Sequence, residues 1–365
     1  MGNVYFFTGF PGFIATALLK QIIRDGHTIE HCYLLVLPEM KIKAEEEANK
    51  IAASEKIDKT RLTVITGDIT KPGLDLTAGV QATVSQQVTH VFHLAAIYDL
   101  AVPEKLAYDV NVTGTKNVNE WLFTLLRLKR YIYFSTAYVS GRREGVIYES
   151  ELVKNQTFKN HYESTKYEAE MLVQQIWNQI PTTIIRPAVV KGDSRTGETI
   201  KFDGPYFILN FFDRLKFMPI LPYLGAGEAQ GNFVPVDYII RASTYLGHAE
   251  VGAGKTYHLT DPKPYLVHEI YSMLYEAISG RQPKGKIPLS WAKAALAIPQ
   301  VRRWLGVEKE AMDYFTCMSV YDCSAAQKDL AGSGITCPDF REGIQSMVTF
   351  YQANKFDKSK HLTIR

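Results

Sequence analysis

The chain has 365 residues, 46% of them hydrophobic and 22% charged, which fits a globular protein with a full core and sets aside disordered and fibrous classes. A formal net charge of +3, with no basic run interleaved with aromatics, gives no footing for nucleic acid. Four cysteines, Cys32, Cys317, Cys323 and Cys337, show neither Cys-x-x-Cys spacing nor neighbouring histidine pairs, so reduced structural thiols are expected and no metal site.

Residues 4–8 are an apolar run that turns at Gly9, Pro11 and Gly12 and takes up helical spacing through Phe13, Ile14, Ala17 and Leu18, which predicts strand, tight loop and helix start. A helix beginning there aims unpaired N–H groups and a positive dipole end at whatever lies over the loop. Glycine lets the backbone come close, so a pyrophosphate is the natural guest, although an ordinary strand-to-helix turn reads the same way in isolation. With a strand starting at residue 3 or 4 there is no room for a signal segment, and no apolar run approaches the ~20 residues of a membrane span, so a cytoplasmic protein is expected.

Further strands are predicted at residues 31–37, 62–65, 89–94, 131–134 and 182–186, with helices at 39–54 and 104–128 and from about Tyr162. Residues 233–236 and 256–259 read as returns to the same sheet. Strands that are nearly continuous apolar runs, alternating with helices, call for an α/β fold with a doubly wound parallel sheet. Ligands in such sheets sit beyond the carboxyl ends of the strands, which here carry Leu94 to Ala96, Ser135, Thr136, Pro187 and Ala188. His90 and His93, three apart in a strand, face opposite sides and do not chelate together.

Residues 202–224 are crowded with aromatics and prolines, and helices are predicted at 267–278 and 291–305. The expected division is a dinucleotide-binding domain of residues 1–195 and 231–262 and a smaller, mostly helical cap of 196–230 and 263–365.

Tyr162 and Lys166 form a Tyr-x-x-x-Lys pair on one helix, where residues four apart are neighbours. An ammonium beside the phenol is expected to lower its pKa from ~10 toward working pH. Such a tyrosine can pass a proton to or from a carbonyl oxygen while hydride moves at carbon.

Thr-Gly-Phe-Pro-Gly-Phe-Ile-Ala, Gly-Asp-Ile, His-Leu-Ala-Ala, Asn-Val-Thr-Gly-Thr, Ser-Thr-Ala-Tyr-Val and Tyr-Glu-Ser-Thr-Lys, in that order over roughly residues 3–260, resemble the extended short-chain dehydrogenase/reductase superfamily with its Rossmann domain. The resemblance implies that Gly9, Phe10, Gly12, Phe13 and Ile14 hold a pyrophosphate, Asp68 and Ile69 meet adenine, and Ala95 and Ala96 lie under ribose and phosphate. It further implies that Lys166 holds the nicotinamide ribose, that Pro187 and Val189 flank the nicotinamide, and that Thr136 takes the place of the catalytic serine or threonine. Ser135 is read as a strand-end stabiliser and Asn111 as a hydrogen-bonder tying sheet to helix. A homodimer through a helical face is common in the superfamily.

About 20 residues beyond the fingerprint an acid would bind a ribose hydroxyl; Leu37-Pro38 stands there instead, with Lys41 and Lys43 nearby, which favours NADP over NAD. The run Ile-Arg-Pro-Ala-Val-Val-Lys-Gly-Asp-Ser-Arg-Thr-Gly-Glu resembles the fatty-acyl and thioester reductase branch, the male sterility type of NAD-binding domain, whose members bring hydride to an acyl thioester. Leu37 departs from that branch's usual arginine, and the length leaves no space for a fused carrier, so a free CoA ester or a separate carrier is the expected partner. Tyr98, Tyr206 and the phenylalanines of residues 202–212 offer an apolar substrate wall. The helix with Trp291, Trp304, Arg302 and Arg303 reads as cap packing, as a cover over a greasy chain or as a membrane-surface element. Three alternatives stay open: a sterol-type alcohol or ketone dehydrogenase, a sugar-nucleotide epimerase or dehydratase, and a redox-sensing binder without catalysis.

Overall fold

The computed structural model describes residues 2–99, 102–218, 220–307 and 309–361. Seven strands, β1 (Asn3–Thr8), β2 (Ile29–Val36), β3 (Leu62–Thr66), β4 (His90–His93), β5 (Arg130–Phe134), β6 (Thr182–Pro187) and β7 (Lys255–Leu259), form one sheet in the order β3-β2-β1-β4-β5-β6-β7. Every ladder in it is parallel. The order reverses between β1 and β4, so the crevice of this doubly wound sheet opens at the carboxyl ends of those two strands.

Each strand is buried on both sides, and the period of two divides its residues between two cores. Tyr5 and Phe7 face α1 (Phe13–Arg24), α2 (Lys41–Glu55) and α7 (Val236–His248), while Val4 and Phe6 face α3 (Ala78–Gln87), α4 (Gly114–Leu122) and α5 (His161–Ile176). The two histidines of β4 divide in the same way: His90 stacks near His248 of α7, and His93 lies by Tyr131 and Tyr133 on the other face.

A third core belongs to the cap, where Phe202, Tyr206 and Phe212 pack with Ile270, Leu274, Phe340, Met347 and Tyr351. Its helices are α6 (Pro205–Arg214), α8 (Val267–Ser279), α9 (Leu289–Ala297), α10 (Pro299–Leu305) and α12 (Ile344–Asn354). One late helix, α11 (Ser324–Leu330), does not join them: Cys323, Ala326 and Leu330 pack into the sheet's first core. Glu149 fixes it there, accepting from Ala325 N (2.7 Å) and Ala326 N (3.1 Å) at its amino end and from His258 N of β7 (2.9 Å).

Three expected elements differ. Residues 233–236 do not return to the main sheet; Phe233–Pro235 pairs with Val189–Lys191 in a separate ladder, because β7 already occupies the edge of β6 along its length. The helix expected at 104–128 is interrupted by a π-helical turn, Tyr108–Thr113, which widens around Asn111, and it stops at Leu122. The helix expected at 291–305 is two, with Pro299 opening the second, a position where its missing N–H costs nothing. Helix α3 was not foreseen, since its apolar residues show almost no periodicity.

Beneath the half of the sheet that carries Thr136 runs a buried ion pair. Arg186 of β6 makes a forked contact with Glu170 of α5, which also accepts from Ser135 Oγ, and Arg186 Nη1 donates to His258 Nε2 at 3.1 Å. His258 gives its Nδ1 proton to Asp322 O (2.7 Å), so its ring is neutral, and burial beside Arg186 holds its pKa down at about 3. Burial likewise lowers His90 and His93 to about 3 and His248 to about 4.

These four imidazoles take up protons in the unfolded chain near pH 6.5 but resist them when folded, so their contribution is present above that pH and lost as pH falls toward 3–4. Glu149 and Asp203, raised by burial to about 7 and about 6, act in the opposite sense, as do Asp261 and Glu168, but the combined shift of Glu149 and Asp203 is smaller than that of the four imidazoles. Denaturant midpoints should therefore fall steadily between pH 6.5 and pH 4; a flat or rising midpoint would contradict the neutral assignment.

Candidate active site

The loop after β1 is shaped by contact with the end of β4. Gly9 sits at φ +85°, and a Cβ there would stand 2.7 Å from Ala95 N; a Cβ on Gly12 would stand 2.6 Å from Gly9 O. Only glycine fits either position. Gly12 then caps α1 with no side-chain acceptor, and the first turn carries no acid, so its N–H groups and dipole end remain for an anion.

Thr8 holds the two strand ends together. Its Oγ1 accepts from Leu94 N (3.2 Å) and Ala95 N (3.1 Å), so its own proton goes to His93 Nδ1 (2.7 Å). His93 Nε2 then donates to Thr115 Oγ1 (3.1 Å), which donates to Asn111 O (2.6 Å). Asn111 binds both backbone groups of Ile97, at 2.8 and 3.0 Å, and donates to Thr165 of α5 at 3.0 Å. It thus ties a strand end to helix α5, in the structural role read for it from the sequence.

Helix α5 starts at Asn160, whose side chain accepts from Glu163 N at 3.0 Å. From it Tyr162 and Lys166 reach the cavity, and Thr136 lines the same cavity from the end of β5, close enough to the phenol to act on its acidity. Lys166 Nζ donates to Tyr133 OH (2.9 Å) and Phe134 O (2.6 Å), not to Tyr162. Tyr133 also packs against His93, which sets the lysine beside the network behind Gly9.

The electrostatics of the pair run opposite to the expectation. Burial pushes the Tyr162 phenol up to about 12, opposed by Thr136, and draws Lys166 down to about 7, opposed by Glu170. Both charged forms lose solvation on burial, and the ammonium gives two of its three donors to Tyr133 and Phe134. At neutral pH Tyr162 is a phenol that holds its proton.

One cavity of about 1840 Å³ runs from the glycine loop past this trio into the cap, larger than the roughly 300–1,000 Å³ of a single small-molecule site. Gly9, Phe10, Gly12, Phe13, Ile14, Asp68, Ile69, Ala95, Ala96, Pro187 and Val189 all line it, as do Tyr98, Thr136, Tyr162 and Lys166. Asp68 is committed locally, accepting from Thr70 N (2.9 Å) and Thr70 Oγ1 (2.7 Å). At the end of β2 the lining is Leu37, Met40 and Lys43, whereas Lys41 pairs with Glu45. In the cap the wall is Phe207, Phe211, Met218, Leu296, Trp304 and Met312.

Tyr206 is not part of that wall. It is fully buried in the cap core, donates to Gly197 O at 3.0 Å and packs on Phe202; one residue along α6, Phe207 faces the cavity. Arg142 donates to Phe158 O (3.3 Å), and Arg143 forms a part-buried ion pair with Glu151 (2.6 Å).

Sequence reasoning missed the support behind Tyr162. Glu163, fully buried, binds Lys159 Nζ (3.3 Å) and accepts from Tyr314 OH (2.8 Å), while Lys159 Nζ also donates to Gly141 O (2.7 Å). Tyr314 and Tyr138 meet edge to face and both line the cavity. The one available signal was a glutamate directly after the tyrosine of the Tyr-Glu-Ser-Thr-Lys motif; nothing in spacing points to Tyr314.

The family model described as male sterility protein, an NAD-binding domain, matches residues 7–243, more than half of the chain. Fatty acyl-CoA reductase 1 of Gallus gallus is 27% identical over 278 residues, covering 66% of this chain and 53% of that protein. A non-canonical nonribosomal peptide synthetase of Aspergillus campestris is 27% identical over 280 residues, covering 70% of this chain and 25% of its own length. The chain thus spans about half the length of the fatty acyl-CoA reductases it matches. The crystal structure of the terminal R domain from the myxalamid PKS-NRPS biosynthetic pathway superposes with a TM-score of 0.80 at 24% identity, covering 98% of this chain and 92% of that one. At that identity the likeness shows the fold.

Gly9→Ala should weaken NADPH binding by roughly tenfold or more, read by the fluorescence of the bound dihydronicotinamide. Unchanged binding would mean that no pyrophosphate approaches this turn.

Proposed function

This chain belongs to the male sterility protein family of NAD-binding domains, and on that footing we propose that it is an NAD(P)-dependent reductase acting on an apolar acyl thioester. The observation that carries the reading is the meeting of Tyr162, Thr136 and Lys166 where the glycine-loop cavity passes into an apolar cap. Gly9, Phe10, Gly12, Phe13 and Ile14 would hold the dinucleotide's pyrophosphate, with Asp68 and Ile69 at the adenine, Ala95 and Ala96 at ribose and phosphate, and Pro187 and Val189 at the nicotinamide. That ring, when bound, supplies hydride.

Tyr162 donates its proton to the carbonyl oxygen as hydride reaches the carbonyl carbon. A phenol raised to about 12 by burial is fully protonated at neutral pH, which suits reduction better than oxidation. Thr136 Oγ1 accepts from Tyr138 N (3.3 Å), which leaves its proton to polarise the same oxygen. Lys166 stands by to stabilise the phenolate left behind and to hold the nicotinamide ribose. One hydride and one proton turn the thioester into a hemithioacetal; its collapse expels the thiol and leaves an aldehyde. The relatives' names place acyl-CoA reduction within the family, and the phenylalanines and tryptophan of the cap wall suit an apolar acyl group.

NADP is the favoured cofactor, because Lys43 and no carboxylate lines the cavity at the end of β2. Lys43→Glu should raise the KM for NADPH by roughly tenfold or more and leave that for NADH little changed; equal effects on both would remove the preference.

Tyr162→Phe should cut NADPH oxidation with long-chain acyl-CoA by roughly 10²–10⁴-fold while cofactor binding persists. The wild-type chain would be assayed against acyl-CoAs, fatty aldehydes, ketosteroids and UDP-sugars, with products identified by mass. Turnover of UDP-sugars alone would defeat the acyl reading, and ketosteroid turnover alone would move it to a secondary-alcohol dehydrogenase.

A further inference from the structure

Between residues 281 and 307 the chain carries Arg281, Lys284, Lys286, Lys293, Arg302 and Arg303 and no aspartate or glutamate, whereas the chain as a whole is nearly balanced at 41 basic and 38 acidic residues. The same stretch forms α9 and α10; Leu296 and Leu305 are buried, while three large apolar side chains are exposed: Trp291 at 68%, Ile298 at 51% and Trp304 at 47%. Beside it, the loop after α6 exposes Phe217 and Ile220, and that loop is bound to the basic stretch through Lys284 N to Leu221 O at 3.0 Å. Lys293 is held by Asp313 at 2.8 Å, while Lys284, Lys286 and Arg303 are exposed.

We propose that this face of the cap docks on an anionic lipid bilayer, with the two tryptophans at the headgroup level and the basic side chains against lipid phosphates and carboxylates. Three features favour this occupant over a protein partner. The charge is of one sign over a run of 27 residues, as an anionic surface requires and as a self-complementary dimer face does not. Tryptophan, apolar in body and able to hydrogen-bond at its edge, is the side chain suited to a bilayer interface. Trp291, Ala292, Ala295, Val301 and Trp304 also rim the large cavity, so the docked face is continuous with the space that runs to Tyr162. An apolar chain would then pass between membrane and cavity without crossing water. No helix among the described residues is long and apolar enough to cross a membrane, so the contact is with the surface.

The test is flotation of the full chain with vesicles of phosphatidylcholine alone and of phosphatidylcholine mixed with phosphatidylserine. Recovery with the mixed vesicles, its loss at high salt and a blue shift of tryptophan emission are expected. Each basic residue near such a surface is worth about a fivefold change in partitioning, so the Lys284→Glu/Arg303→Glu double variant should partition more than tenfold less. Trp291→Ala/Trp304→Ala should lose the blue shift. The charge variant alters exposed side chains only, so it remains informative should the tryptophan variant not fold, and thermal unfolding checks both. No recovery with either vesicle at low salt, or equal recovery of the charge variant, would overturn the proposal. So would self-association abolished by these substitutions in place of vesicle binding, because a second copy would then be the occupant. Recovery is read without turnover, so it stands or falls separately from the reductase reading.

Discussion

The close approach of Gly9 to the backbone of Leu94 and Ala95 is the constraint on which the rest of the site depends. Two neighbouring parallel strands whose connections leave in opposite directions open a crevice between their ends, and the chain can line it only if nothing projects from the turn. Thr8 makes that approach stable by taking both N–H groups of the opposing strand end onto one hydroxyl. A strand that is otherwise apolar therefore ends in a small polar residue, and the loop beyond it is fixed without a side chain of its own.

The same hydroxyl begins a chain of hydrogen bonds that reaches the catalytic half. Thr8, His93, Thr115, Asn111 and Thr165 follow one another, each donor meeting an acceptor, with the Lys166–Tyr133 pair beside them on the sheet's second face. Such a chain is stable only when fully satisfied, because an unpaired member in so dry a place would cost far more than one at the surface. The pair also explains why the lysine does not ionise its neighbouring tyrosine. Its charge is spent on Tyr133 and Phe134, and desolvation then governs both side chains.

Much of this was legible in the sequence because it is local. Apolar runs of four to eight residues mark the strands, the small and polar residues after them mark the crevice, and helical spacing places Tyr162 four residues before Lys166. What failed was decided by distant partners. Tyr206 and Phe207 look alike in sequence, yet the first turns to Gly197 and Phe202 while the second meets the cavity. The break around Asn111 depends on Ile97 and Thr165, and the shelter of Glu163 depends on Tyr314; neither has a periodic signature. The Lys166 to Tyr162 electrostatics failed for another reason. Spacing gives proximity but says nothing of how much water the pair has lost.

Glu149 and the short ladder that pairs Gly145–Ile147 with Ser319–Tyr321 sew a late stretch of polypeptide onto the strand end that bears Thr136. On a ribosome the main sheet would have all its strands once β7 had emerged, yet the cavity wall near Thr136 would still await a segment some sixty residues further on. Premature termination between those points would leave a species with the strands paired while α11 is missing from the first core and α12 from the cap. Quality control would meet that species as a paired sheet with apolar side chains bared on one face and in the cap.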